Sequence, residues 1–212
     1  MNMQESKPIS AYKQGLRSKI VETAMNDFRA RGIRAVRMDD VAAELKISKR
    51  TLYEIFENKE VLLYEGTRKY HEDRSRMMAV QTERCKNVME IIMVVMRMKI
   101  VEIRSTNPQF YADLLQYPQV ARFLESQKER IRKDSAEFFK RGKHEGYFRQ
   151  EIDPNLISVL FEFLNKYVME EQLYRTFTFE DIFKNIAALT MRGICTEKGL
   201  KILDDILKIG EK

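Results

Sequence analysis

Between Met38 and Phe56 the sequence predicts two short helices separated by a three-residue turn, an arrangement few folds accommodate. Val41, Ala42 and Leu45 recur at helical spacing, and the small Ala42 and Ala43 let a second helix approach closely. Lys46-Ile47 breaks the pattern, and Ser48 is placed to cap the next helix, its hydroxyl accepting from an amide two or three residues on. From there Leu52, Ile55 and Phe56 point inward, whereas Lys49, Arg50 and Tyr53 share an outward face. An ordinary amphipathic surface helix explains the stripe. It does not explain the short first helix, the tight turn, the cap and an outward tyrosine arriving together. The layout is that of a helix-turn-helix, whose second helix lies in the DNA major groove.

Residues 17 to 62 closely resemble the N-terminal domain of TetR-type (TetR/AcrR) transcriptional regulators. The resemblance is carried by Arg17, Ile20, Ala24 and Phe28 along the first helix, then Gly32-Ile33, Val41-Ala42 and Ile47-Ser48. It continues through Thr51-Leu52-Tyr53, Phe56, Lys59-Glu60 and Leu62, covering 46 of 212 residues. Two positions depart from it. Lys46 stands where the family usually has glycine, so the turn must tolerate a side chain at some strain. Arg37 stands where serine or threonine is usual, and it can offer a phosphate contact of its own, with Asp39 and Asp40 favourable at the helix's positive end.

The resemblance implies an all-α protein, with a three-helix DNA-binding domain over residues 1–62 and a larger helical ligand-binding and dimerisation domain over 63–212. It implies a double-stranded DNA operator contacted by Arg37, Lys46, Ser48, Lys49, Arg50, Thr51, Tyr53 and Lys59. Lys49, Arg50 and Thr51 lead the recognition helix toward base edges, and Tyr53 and Lys59 hold phosphates.

Composition agrees. With 33% charged and 44% hydrophobic residues but only 8 Gly and 4 Pro, long helices are the natural outcome. A net charge of +6 suits a polyanion. The basic character is nonetheless local, because residues 1 to 65 carry 12 Lys/Arg against 10 Asp/Glu. Met1 to Gly15 is polar and lacks the apolar core of a signal peptide, and the most apolar run, Ile91 to Met96, is too short to span a bilayer. Cys85 and Cys195 lack metal-ligand spacing, so no metal or cofactor is expected and a cytoplasmic location is.

Beyond Leu62, Asn58 caps a helix predicted to reach about Gln81, and Asn87 to Arg104 reads as a central, nearly all-apolar helix. Pro108, Pro118 and Asp153-Pro154 mark helix starts, as does Thr178 with Glu180 and Asp181. The helix after Pro118 carries a stripe through Val120, Phe123 or Leu124, Ile131, Phe138 and Phe139. Six of the 12 methionines fall between Met77 and Met98. Such flexible side chains suit either an adaptable pocket or plain core packing. The pocket candidates are Arg74, Met77, Met93, Met96, Arg97, Phe110, Tyr111 and Phe138, for a small apolar or amphipathic effector. His71 and His144 sit among charged residues and read as surface histidines.

The helix of Leu156 to Val168 is apolar on most sides, so it is either the centre of a monomer core or covered by a second subunit. The resemblance favours a homodimer, with Leu160, Leu164, Tyr167, Phe183, Ile186, Leu189 and Gly193 at the interface. The function these features support is a dimeric repressor released from a palindromic operator by its ligand. A DNA-binding organising factor without an inducer uses the same residues. A helical enzyme has little support, since neither histidine sits in a catalytic arrangement and no glycine-rich phosphate loop occurs.

Overall fold

A computed structural model describes residues 11–208, so most of the polar Met1–Gly15 stretch lies outside the described residues. The described chain is helical, with one short 3-10 turn and one isolated antiparallel bridge, Phe148 to Cys195. The first unit comprises α1 (Ala11–Arg31), α2 (Met38–Glu44) and α3 (Lys49–Ile55). A long α4 (Lys59–Thr82) leaves it for the second unit, α5 (Val88–Arg104), α6 (Pro108–Leu114), α7 (Pro118–His144), α8 (Pro154–Glu170), α9 (Phe179–Ile194) and α10 (Glu197–Lys208).

Side chains in the sequence start most of these helices. Asn58, Asn87, Asn107, Asp153 and Thr178 each accept a hydrogen bond from an amide of the first turn, pairing donors that would otherwise be orphaned. Helix ends are equally local. At α7 the Gly146 N–H donates to Lys143 O and the Tyr147 N–H to Gly142 O, with Gly146 at φ 76° in the left-handed region. Gly142 is itself irreplaceable, because a methyl there would overlap the Phe148 ring.

Two apolar cores result. Ile20, Ala24, Phe28, Val41, Leu52, Phe56, Leu62 and Leu63 form the first, joined by Phe110 of α6 and Val120 of α7. The second gathers Val88, Met89, Ile92 and Met96 of α5 with Phe139, Phe148, Ile194, Leu203 and Ile206. The helix α10, which its sequence pattern alone did not separate, closes this core through Leu203 and Ile206.

Three expectations change. Ala43 is exposed, so only Ala42 supplies the close approach of α2 to α3. Ile131 leaves the α7 stripe and is exposed, since the long helix runs past the core at its middle. Helix α8 is no core centre: within the single chain only Val168 of it is buried.

Candidate nucleic-acid interface and the adjoining cavity

The turn between α2 and α3 is a Schellman motif. Ile47 N–H donates to Ala42 O at 3.0 Å and Lys46 N–H to Ala43 O at 3.1 Å. Lys46 therefore holds φ 54°, the position Gly146 fills at the end of α7. A β-carbon there costs roughly 1–2 kcal/mol. Lys46→Gly is expected to stabilise the fold by about 1 kcal/mol, or ~2–4 °C in Tm, while weakening DNA binding by removing an exposed cation. Thermal melts and operator titration check both signs; a lowered Tm would contradict the strain.

Ser48 Oγ accepts from Thr51 N–H at 3.0 Å and lies 2.8 Å from Thr51 Oγ1, which sets the start of α3. Leu52 and Phe56 are then buried, leaving Lys49, Arg50 and Tyr53 exposed. Two of these cations are engaged: Lys49 Nζ lies 2.6 Å from Asp39 and Arg50 Nε 2.8 Å from Glu54. Both pairs are solvent-exposed, where an ion pair contributes little to stability. Arg37 precedes α2, where its N–H donates to Asp40 at 2.8 Å and its guanidinium is left exposed. The Arg37 side chain, having no acceptor, leaves the cap to this half of a capping box.

Lys59 opens α4 and is half-buried, its Nζ 5.7 Å from the Phe28 ring centroid. Burial lowers its pKa, against the opposing pull of Asp113 and Asp40. Arg17 anchors α1 to the end of α3. Its guanidinium pairs with Glu65, donates to Ile55 O at 3.1 Å and sits over the Phe56 ring.

Five helices line a partly open cavity of about 290 Å3. Met25 and Arg29 come from α1; Thr67, Tyr70, His71 and Arg74 from α4; Lys99 and Glu102 from α5; Phe110, Tyr111 and Leu114 from α6; and Leu124 from α7. Of the pocket candidates, Arg74, Phe110 and Tyr111 meet here. The other five do not. Met96 is buried in the second core, with Met93 and Phe138 packed against it, while Met77 and Arg97 are exposed. The inward phase of α5 runs through Met96, Lys99, Glu102 and Ile103, and that nearly uniform apolar helix hid its phase in the sequence. Lys99 and Glu102, charged residues three apart on that phase, were the signal.

Glu102 is the electrostatic centre. It accepts from Tyr111 Oη at 2.7 Å and Lys99 Nζ at 3.2 Å and pairs with Arg74, whose guanidinium also donates to Tyr70 Oη. Burial would raise the Glu102 carboxyl; Lys99, the Tyr111 hydroxyl and Arg74 outweigh it and hold it below the ordinary carboxylate value.

His71 is half-buried rather than a surface residue, edge-on to Phe123 at 5.5 Å and to Tyr70 at 6.1 Å. Burial pushes its pKa below 6.5, and Arg74 adds to this. The folded state thus takes up this proton less readily than the unfolded chain. Stability is full above about pH 6.5 and declines as pH falls toward the folded pKa. The drop in Tm between about pH 7.5 and about pH 5.5 is expected to shrink in His71→Gln. An unchanged drop would place the titration elsewhere.

Residues 20–65 match the family model described as bacterial regulatory proteins, tetR family. Over that segment the chain matches the DNA-binding domain of the TetR family. No curated protein matches it in sequence. Solved structures extend the likeness to the whole fold. A transcriptional regulator from Saccharomonospora viridis in complex with choline superposes with TM-score 0.68 at 19% identity, covering 87% of this chain and 100% of its own. A TetR-family regulator from Agrobacterium tumefaciens gives TM-score 0.71 at 12% identity, with 87% and 100% covered. The fatty acid degradation regulator FadR from Bacillus halodurans gives 0.62 at 17%, with 89% and 97% covered.

The matched segment spans the helix-turn-helix of α2 and α3, and the solved structures share the all-helical fold around it. Among the described residues no group of three or more His, Cys, Asp or Glu could hold a metal, and no helix is long and apolar enough to cross a membrane. Helices α8 and α9 carry an unusual surface for such a protein. Leu156, Val159, Leu160, Phe163 and Tyr167 of α8 are exposed, as is Leu189 of α9, and Gly193 has open space beside it. Leu164, Phe183 and Ile186 are half-buried beside them.

Proposed function

We propose that this TetR-family chain is a homodimeric repressor that leaves a palindromic operator when a small amphipathic ligand fills the five-helix cavity. The carrying observation is that one cavity is walled both by α1, which packs under the helix-turn-helix, and by α4, whose first turn carries Lys59. A ligand that shifts α4 against α1 changes the spacing of the two recognition helices. In this reading residues 1–62 form the DNA-binding domain and 63–212 the regulatory one. The dimer interface is built from Leu160, Leu164, Tyr167, Phe183, Ile186, Leu189 and Gly193. The choline complex of the Saccharomonospora viridis regulator supports a ligand site on this fold.

Lys49, Arg50 and Thr51 read bases, while Arg37, Lys46, Ser48, Tyr53 and Lys59 position the backbone. Arg50→Ala is expected to lose roughly ten- to hundredfold on the preferred operator and to relax choice at one position per half-site. Lys59→Ala should weaken all sequences alike and flatten the salt dependence by about 0.9 log units for each phosphate no longer neutralised. Fluorescence anisotropy across operator variants and salt tests the division, which falls if the two variants behave identically. Repeating the titration with cavity ligands tests the release. Tight operator binding insensitive to every ligand that stabilises the fold would leave a factor controlled by abundance.

A further inference from the structure

The cavity is far more cationic than an apolar effector needs. Arg29, Arg74 and Lys99 line it, against one carboxylate, Glu102, which is already hydrogen-bonded by Lys99 and Tyr111 and paired with Arg74. Arg29 has no carboxylate within ion-pair distance among the described residues; its guanidinium lies over the Tyr70 ring at 4.7 Å and donates to Thr106 Oγ1 at 3.3 Å. Thr67, also on the wall, is 3% exposed and its hydroxyl has no hydrogen-bond partner among the described residues. Half-buried cations in excess of their counter-ions are costly unless an anion joins them.

We propose that the cavity binds a compact monocarboxylate, its carboxylate held by Arg29, Lys99 and Arg74 and its apolar body against Tyr70, Phe110 and Tyr111. This deepens the ligand-responsive reading above and rests on it. Charge decides the sign: one added negative charge still leaves the wall no more than neutralised, whereas a cationic ligand would add to an uncompensated excess. Shape decides the group. A carboxylate presents two coplanar oxygens that match a guanidinium edge, and Glu102 demonstrates that Arg74, Lys99 and a tyrosine hydroxyl accept this geometry. Size decides the body, because about 290 Å3 lies at the lower limit of small-molecule pockets and suits an aromatic or short aliphatic acid.

The test uses the full chain with benzoate, hexanoate, inorganic phosphate, benzamide and benzylamine as probes, read by thermal shift and calorimetry. Benzoate or hexanoate is expected to raise Tm, with benzamide, benzylamine and phosphate giving little. Lys99→Met should weaken carboxylate binding about tenfold or more. In Glu102→Ala, added carboxylate should recover more stability than it adds to the unmodified protein, since it replaces the missing charge. Failure of both carboxylates, equal stabilisation by benzamide or benzylamine, or carboxylate binding unchanged in Lys99→Met each overturns the proposal. The operator titration separates the two readings. Carboxylate binding that Lys99→Met abolishes, with operator affinity unaffected, keeps the site and removes its effector role. A neutral probe that binds and releases operator keeps the effector role and removes the carboxylate.

Discussion

Leu160→Asp and Leu189→Asp are each expected to turn the protein into a folded, helical monomer that binds a full operator little better than a half-site. Leu160 is 46% and Leu189 77% exposed in the single chain, so a carboxylate at either position costs little to fold. In an isologous interface the same residue is buried twice, once from each subunit. Two unpaired carboxylates at the covered face cost at least about 3 kcal/mol, more than a hundredfold in the dimerisation constant. Light scattering of the unmodified protein should give twice the 25.2 kDa chain mass, and that of the variants the chain mass itself. Operator footprints should show two half-sites about one helical turn, or a multiple, apart. If both variants remain dimeric with unchanged operator affinity, some other surface pairs the subunits. The stacked Phe163 and Tyr167 rings, 6.5 Å apart at the same face, would then need another cover.

The second large effect is expected inside the protein. Glu102→Ala should destabilise the fold by about 3–5 kcal/mol, roughly 6–20 °C in Tm, because it leaves Arg74 and Lys99 partly buried without their carboxylate. Glu102→Gln, which retains an acceptor for Tyr111, should cost less. The pH dependence has a definite sign. Because the folded carboxyl titrates below its ordinary value, its contribution is complete above the unfolded pKa and is lost as pH falls through the folded one. Acid melts of the unmodified protein should therefore be steeper than those of Glu102→Ala. Equal stabilities at neutral pH would mean that the cluster is solvated and contributes nothing.

What could be read along the chain was whatever closes within one or two helical turns. Ser48, Asn58, Asp153 and Thr178 cap helices because each oxygen reaches an amide two or three residues on, so tertiary packing has no vote. The turn at Lys46 is of the same kind. Its two hydrogen bonds join neighbours in sequence, and the departure from glycine forecast the strained φ that the structure shows. The outward set Lys49, Arg50 and Tyr53 followed from three inward residues on a two-turn helix, whose phase admits no ambiguity.

The cavity required the tertiary structure. Its centre joins Arg74 to Glu102 across 28 residues and Arg29 to Thr106 across 77, and no local pattern encodes which turns of α1, α4 and α5 lie side by side. The methionines pointed to α5 but not to its inward face, since a helix apolar almost all round carries no phase information. Met89, Met93 and Met96 belong to a separate core instead, and the polar residues Lys99 and Glu102 further along α5 form the cavity wall. The α8 surface stood undecided between core and interface for the same reason: one sequence pattern serves both, and only the packing of a single chain leaves Leu160 and Phe163 uncovered. By itself, then, the sequence determined most helix starts and the outward face of α3, because hydrogen bonds between near neighbours define them. The fold decided where charge is buried and which apolar face is left bare, because both depend on helices brought together from distant parts of the chain.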